Sequence, residues 1–519
     1  MNYSDLLKFT SQTKPVAGMN MKKNNAGGYG FAITPQEQLE RFLLVGTVGG
    51  TAYLSEKELT ELNADVIIKL IKSEQEKVVA TVVSFSVEGK APKPDAGIFV
   101  LALCCKHGNE LTKKTAYNSI TTVCRTATQF FMFLANIKNL RGWSRGLRSG
   151  CANWYLSKSK EQIAYQIAKY RVRSGFTHLD AMRLSHPKAK DDDMQNILGY
   201  IAGKRTATEV GSKILIGYES AKITMSDKEL VAIIKEANLT HEMIPNEVLN
   251  NPEVLKALLP NMKPNALIRN LNRFAKAGLT KTKSDTTKEI VRKLTDVTEV
   301  TEAGLHPINI LNSLFTYKSG RSERGDSTWD VNSNIADALQ DTFEISLKAI
   351  VPSGKNILLG VDISSSMDQS VGGSCLKANV IANVMAYITL RSEKNSDLIC
   401  FNTAIINSGI TRKSSLNEVL NTRSAFGGTD CSLPCQYALQ NNIKYDTIVI
   451  YTDNETWAGK AHLFQVLEEY RRKVNKEVKV VEVALVANGE SVIPDNDYRL
   501  LRTIGFNSGL PTIISEFSK

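Results

Sequence analysis

The sequence has no run of 18 apolar residues and no early apolar stretch flanked like a signal peptide, so neither a membrane span nor secretion is expected. Its eight cysteines lack metal-ligand spacing. Cys104 and Cys105 are adjacent, and Cys431 and Cys435 have no matching pair, so a reduced, cytoplasmic protein is the simplest expectation. There is no Walker loop, no nucleophile with a paired histidine and no carboxylate pair placed for hydrolysis. The expected activity is therefore binding and not catalysis.

What the chain does have is length and an uneven charge. Its 519 residues, 42% of them apolar and 23% charged, can fill about two to four domains. The net charge is +11, yet Asp341 to Lys519 carries 18 basic and 19 acidic residues, leaving 46 basic against 34 acidic in the rest. The whole basic excess lies in the first two-thirds of the chain. That asymmetry points to a polyanion partner for the first domain and a different task for the second.

Residues 1–23 read as a mobile arm, because polar and basic residues there show no periodic apolar face. From Thr34 to about Gln340 the patterns are helical. Thr34-Pro35 followed by Gln36-Glu37 marks a helix start, and that helix is expected to stop at Gly49-Gly50. Similar units recur over Ala64–Ile71, Thr126–Leu140, Lys160–Arg173, Asp227–Ala237, Ser284–Leu294 and Pro307–Tyr317. Such helices cannot bury their faces alone, which suggests stacked pairs; with no fixed period legible, irregular repeats and a compact bundle both fit.

Between Arg141 and Lys190, 11 basic residues face only Glu161 and Asp180. If Lys160–Arg173 is one helix, Gln162, Gln166, Lys169 and Arg173 fall on one line, opposite Ile163, Ile167 and Tyr170. Side chains four apart lie about 5–6 Å apart at Cβ, close to the spacing of neighbouring phosphates. A solvated basic face is the bland alternative, and His178 and His186 taken singly are more often surface or capped residues than contacts. Of Trp143, Trp154, Tyr155 and Tyr170, at least three are expected in the core.

Beyond Val351-Pro-Ser-Gly354, strands and helices alternate, predicting a mostly parallel sheet covered on both faces. Its first strand, Ile357 to Val361, empties into Asp362, Ser364 and Ser366. Gly427-Gly428-Thr429-Asp430 adds a hydroxyl on a turn, and Thr447 to Thr452 is a second buried strand ending at Asp453. One carboxylate with two alternate hydroxyls offers hard oxygen donors for a divalent cation. Together these parts resemble the metal-ion-dependent adhesion site of von Willebrand factor A domains. That resemblance implies Ser364, Ser366 and Thr429 touching Mg²⁺ or another divalent cation, with Asp362 and Asp453 acting largely through water. The alternative is an N-cap cluster opening the next helix. Asp430 could tune such a site or be a plain loop carboxylate.

Several further stretches resemble the Ro autoantigen family, including its bacterial orthologues. They are Asn25-Ala-Gly-Gly-Tyr29, Arg41-Phe-Leu-Leu-Val-Gly-Thr-Val-Gly-Gly-Thr51, Gly142-Trp143, Lys169-Tyr-Arg-Val-Arg-Ser-Gly175, Arg183-Leu-Ser-His-Pro187, Leu267-Ile-Arg-Asn-Leu271, His306-Pro307 and Tyr451-Thr-Asp-Asn-Glu-Thr-Trp-Ala-Gly459. The resemblance implies a ring of HEAT-like helical repeats, the TROVE module, over residues 24–345, and a von Willebrand A domain over residues 355–519. It implies a monomer that binds Y RNA or Y-like RNA on the outer surface through Lys169, Arg173 and His186, with Arg145 and Arg148 in a matching segment. It also implies that single-stranded ends of misfolded RNA enter a central cavity, in RNA quality control, maturation or degradation with polynucleotide phosphorylase or another exonuclease. The competing expectation is a metal-dependent protein-interaction module without a specific RNA function.

Overall fold

The computed structural model describes residues 9–45, 56–89, 94–140, 142–305, 307–322, 326–346, 351–369, 376–422, 425–486, 488–495, 497–504 and 510–519. Nineteen α-helices lie between Pro35 and Ser346 among the described residues, and their starts follow local chemistry. Thr126, Ser159 and Thr177 each cap a helix, with Gln129, Gln162 and Asp180 reaching back to complete a capping box. The first helix, Pro35–Val45, begins where the Thr34-Pro35 signal places it. Its expected stop at Gly49-Gly50 lies outside the described residues.

Each helix packs on those near it in sequence: Glu76–Val87 and Asp95–His107 on Glu110–Val123, that helix on Arg145–Leu156, Lys160–Lys169 on Lys213–Ile223, and so on to Asp285–Thr295 and Pro307–Ser319 on Ser333–Ser346. Both ends of this series reach the C-terminal domain. At the start, Arg502 pairs with Glu37 at 3.2 Å and Arg41 with Glu482 at 3.0 Å. At the finish, Lys318 and Gln340 both bond Asn417, and Arg391 pairs with Glu344 at 2.8 Å. The helical domain and the C-terminal domain thus close on each other as a ring.

The C-terminal domain is built on a six-stranded sheet in the order β11-β9-β8-β5-β6-β7, where β5 is Asn356–Asp362, β6 Asn395–Phe401, β7 Ile405–Ile406, β8 Thr447–Thr452, β9 Lys479–Ala484 and β11 Leu500–Ile504. All pairings are parallel except β6 with β7. Ile357, Leu359 and Val361 belong to one core with the helix Ala378–Ser392, whereas Leu358 belongs to another with Cys435, Leu463 and Leu467. Burial on both faces is why the central strands read as unbroken apolar runs.

The N-terminal segment departs from expectation. Residues 9–23 are not an unattached arm; they lie on the C-terminal domain. β1 (Met21–Lys23) pairs with β2 (Tyr29–Ala32), and β2 pairs with β10 (Glu490–Ser491). Val16 and Phe31 pack around Phe464, and Gln12 is wholly buried. The amide of Gln12 serves Asp430, Ala461, Thr456 and Gly459. The segment has no helical or strand periodicity because its apolar side chains fill pockets belonging to a distant domain.

Candidate functional site

At the carboxyl edge of the sheet, β5 and β8 are neighbours in register, Val361 opposite Tyr451, so the two strand ends deliver Asp362 and Asp453 to one place. Asp362 Oδ1 accepts from the Ser364 N–H at 2.9 Å, and Oδ2 accepts from the Thr452 hydroxyl at 2.8 Å. Ser364 Oγ lies 3.1 Å from Ser366 Oγ, and the Thr429 hydroxyl donates to Ser364 Oγ at 2.9 Å. The turn carrying Thr429 fits because Gly428 has no Cβ: one built there would sit 2.5 Å from the Trp457 ring. Thr429 O then accepts from the N–H groups of Trp457 and Ala458. All five sequence-predicted residues of this cluster are buried and adjoin one another.

The electrostatics favour a cation there. Burial first, and the Asp453 charge second, push the Asp362 carboxyl up to about 7; burial also raises Asp453. Asp453 Oδ1 accepts from the Glu455 N–H, but its Oδ2 is buried with no partner. Among the described residues no three His, Cys, Asp or Glu side chains group as ligands, so the hydroxyls complete the donor set. Two carboxylates and three hydroxyls, with one carboxylate oxygen unsatisfied, fit a hard divalent cation. The capping alternative loses its contact: Ser364 precedes the short helix Ser365–Asp368 but makes no side-chain cap bond. Asp430 is a loop carboxylate, its Oδ1 accepting from Gln12 Nε2, Ser432 N and Ser432 Oγ.

On the helical domain, Arg145 and Arg148 are exposed in the first two turns of Arg145–Leu156, behind the Ser144 cap. Tyr155 at the end of that helix meets His178 at the start of His178–Ser185, its hydroxyl 3.1 Å from Nδ1. His186 ends the latter helix, exposed and in the left-handed region at φ 48°. His178 is a core residue instead, edge-on to Phe131, with burial lowering its pKa to about 4.

Lys169 and Arg173 do not share a helix. The helix ends at Lys169, and Val172–Arg173 forms a two-residue strand against Phe176–Thr177, turning through Ser174 (φ 51°) and Gly175 (φ 75°). Two consecutive positive φ values are the hairpin turn that a Ser-Gly pair between extended residues announces. Arg173 is exposed, whereas Lys169 donates to Tyr165 Oη at 3.0 Å and pairs with Glu242 at 3.3 Å, only 17% exposed. Gln166 is structural, its Oε1 accepting from the Ala127 N–H at 2.7 Å. Of the four aromatics, Trp154 and Tyr155 are fully buried, Tyr170 is half-buried, and Trp143 is exposed, one fewer core ring than expected.

A cavity of about 640 Å³ draws lining from helices spread over the whole helical domain, from Leu43 to Asn309. Arg125, Gln129, Tyr170, Asn265 and Arg269 face it, with Asp95 as its acidic side chain. Sequence reasoning passed over Arg125 and Arg269. The signal for Arg269 is its place opposite Leu267, Ile268, Leu271 and Phe274, which are buried on one face of Pro264–Lys276.

Comparison with known proteins places both halves. Residues 22–225 and 233–314 match the TROVE domain model, and residues 356–518 match the Ro60 vWA domain model. The chain is 30% identical to the RNA-binding protein RO60 of Deinococcus radiodurans, covering 96% of this chain and 95% of that one. It is also 30% identical to the RNA-binding protein RO60 of Caenorhabditis elegans, covering 95% and 89%. The crystal structure of the Deinococcus radiodurans RO (RSR) protein superposes with a TM-score of 0.72 at 29% identity, covering 93% of this chain and 99% of that one.

Proposed function

The chain belongs to the Ro60 family, a TROVE domain followed by a Ro60 vWA domain, and from that premise we propose that it is the RNA-binding scaffold of a small ribonucleoprotein. It holds Y RNA or a Y-like RNA on the outer face of the ring through Arg145, Arg148, Arg173 and His186. Lys169 contributes from its ion pair with Glu242, orienting the hairpin that carries Arg173. Single-stranded ends of misfolded RNA enter the cavity lined by Arg125 and Arg269, and an exonuclease such as polynucleotide phosphorylase acts with the complex. It works in the cytoplasm as a monomer and binds without catalysing.

One observation carries this reading: Arg145, Arg148, Arg173, Lys188 and Lys190 are exposed and make no ion pair among the described residues. Cations left unneutralised on one continuous stretch of chain are what phosphate binding requires. A salt titration of hairpin RNA binding tests it. Affinity falls steeply with salt, by about 0.9 decade per decade of salt for each duplex phosphate neutralised. A flat salt response would rule out phosphate recognition.

The C-terminal domain carries a second role. Asp362, Ser364, Ser366, Thr429 and Asp453 would hold Mg²⁺ or another divalent cation, which would supply positive charge to attract an acidic group of a protein partner. The near-neutral charge of this domain favours that use over RNA. If hairpin RNA fails to bind while a protein partner binds in a Mg²⁺-dependent way, the protein-interaction reading replaces the RNA one.

A further inference from the structure

Further cations outside the Lys169–His186 stretch adjoin Arg145 and Arg148. Trp143 is 36% exposed and directly precedes Ser144, Arg145 and Arg148. The loop that presents it is pinned: Tyr117 and Ser144 hydroxyls lie 3.0 Å apart, and a Cβ on Gly142 would sit 3.2 Å from Lys106 Cδ. Lys106 and His107 end the helix Asp95–His107, and the charges of Lys106, Lys72 and Lys113 all act on His107. These side chains come from the ends of four helices, Glu56–Glu74, Asp95–His107, Glu110–Val123 and Arg145–Leu156. Lys106 thus lies against the loop that carries the exposed indole, Arg145 and Arg148 follow that indole in the chain, and Lys72 and Lys113 act with Lys106 on the neighbouring His107. Among the described residues, Glu110 acts on Tyr117, and Glu76 accepts from the Thr112 hydroxyl.

We propose that this surface, centred on Trp143, is a docking site for a single-stranded stretch of RNA, one base stacking on the indole while the flanking phosphates meet Lys106, Lys113 and Arg145. The proposal rests on the RNA-binding reading and extends it to residues that no family motif above contains, Lys72, Lys106 and Lys113. An indole face is what distinguishes a nucleic-acid strand from an acidic peptide as the occupant. A base offers a planar π-face to stack, and a run of carboxylates does not. An unpaired strand fits better than a duplex, whose bases are already stacked on each other.

The test uses the full chain with two probes, an unstructured oligouridylate and a tailless hairpin RNA. W143A weakens oligouridylate binding about tenfold, W143F restores it, and hairpin binding is unchanged in both. Oligouridylate quenches the indole fluorescence of the wild type, and that quenching is lost in W143F. K106E/K113E lowers the slope of log affinity against log salt by about 1.4 for oligouridylate. Oligouridylate bound equally by the wild type, W143A and K106E/K113E, with R173E still weakening the hairpin, overturns this surface and leaves the RNA reading standing. Loss of no RNA affinity in any variant, R173E included, overturns both. Polyglutamate that displaces oligouridylate as well as unlabelled RNA does, indifferent to W143A, also overturns it in favour of an acidic peptide. Unchanged thermal unfolding of W143F keeps folding out of the comparison.

Discussion

Replacing Arg41 with methionine should loosen the first helix from the C-terminal domain while removing no side chain assigned to RNA or to the metal cluster. The guanidinium is 1% exposed and donates to three residues: Glu482 Oε1 at 3.0 Å, Glu490 O at 2.6 Å, and Asn488 through Oδ1 at 3.2 Å and O at 3.5 Å. Removing one member of a buried pair costs about 3–5 kcal/mol, because the other charge stays buried without its partner. Here the loss is softened. Glu482 keeps Asn454 Nδ2 on Oε1 and the Val492 N–H and Ser491 hydroxyl on Oε2, and Glu490 O keeps Asn454 Nδ2. The lower end, about 3 kcal/mol, is therefore expected. A protein of two domains need not unfold in one step, so the assay is local: amide exchange of residues 35–45 and 482–492 in the native state. Exchange should speed by about 150-fold in both segments together. E482L added to R41M should recover much of the loss, since a paired apolar replacement leaves no stranded charge. Exchange within about fivefold of the wild type would refute the view that this pair holds the ring closed.

Four other variants test the same geometry. D453A should abolish Mg²⁺ or Mn²⁺ binding, read by equilibrium dialysis, and leave hairpin RNA affinity within about twofold; retained stoichiometric binding would remove Asp453 from the site. R173E should weaken hairpin RNA about tenfold or more with no change in thermal midpoint, because Arg173 is exposed, whereas K169A should lower the midpoint as well, because it strands the half-buried Glu242. An unchanged midpoint in K169A would mean that the Lys169–Glu242 pair does not hold the fold. His178, about 4 when folded against 6.5 when free, stays neutral in the folded state. The unfolded chain binds the extra proton, so its contribution is full above pH about 6.5 and fades as pH falls toward 4, by about 3 kcal/mol. Asp362 and Glu455, raised to about 7, act in the opposite direction, so the measurement is the difference between wild type and H178F in urea midpoint across that range. A difference that does not change with pH would place the imidazole in water.

The C-terminal domain was legible because its signals are local. β5 and β8 are short apolar runs that end in carboxylates, and a parallel sheet places all such ends on one edge. The helices were legible where a cap and a stripe coincide, as at Thr126 and Ser159. Periodicity failed at Lys160–Arg173, where Tyr170 and Val172 continue a helical pattern but the Ser174-Gly175 turn takes the last residues into a hairpin; turn chemistry won over period. It failed also for residues 9–32, whose partners are Asp430, Thr456 and Phe464, hundreds of positions away. Arg41 reads as the solvent side of an amphipathic helix, since nothing in its neighbours Leu39 and Phe42 tells that Glu482 waits opposite. Arg125 and Arg269 share that problem: a cation facing an enclosed space has the same local sequence as one facing water.

The three residues after β8 explain why the metal edge and the helical domain cannot be arranged independently. Asp453 keeps a buried oxygen without a hydrogen-bond partner, and its charge acts on Asp362. Asn454, held at φ 66°, turns its amide the other way, to Glu482 and Glu490 O, the same two acceptors that Arg41 uses. Glu455 is buried, pushed up to about 7 by burial and by Asp453, and its two oxygens accept from Asn25 Nδ2 and the Ala26 N–H of the N-terminal strap. Three consecutive side chains thus serve three different neighbourhoods: the oxygen cluster at Asp362, the acceptors shared with Arg41, and the N-terminal segment. The left-handed turn at Asn454 is what separates them, and it is a conformation that asparagine tolerates better than most residues. A backbone displacement at Asp453 is therefore felt by the hydrogen bonds of both its neighbours. The edge of the sheet, the acceptors of Arg41 and the N-terminal segment therefore meet within one tripeptide, so a change at any of the three is transmitted to the other two through adjacent backbone.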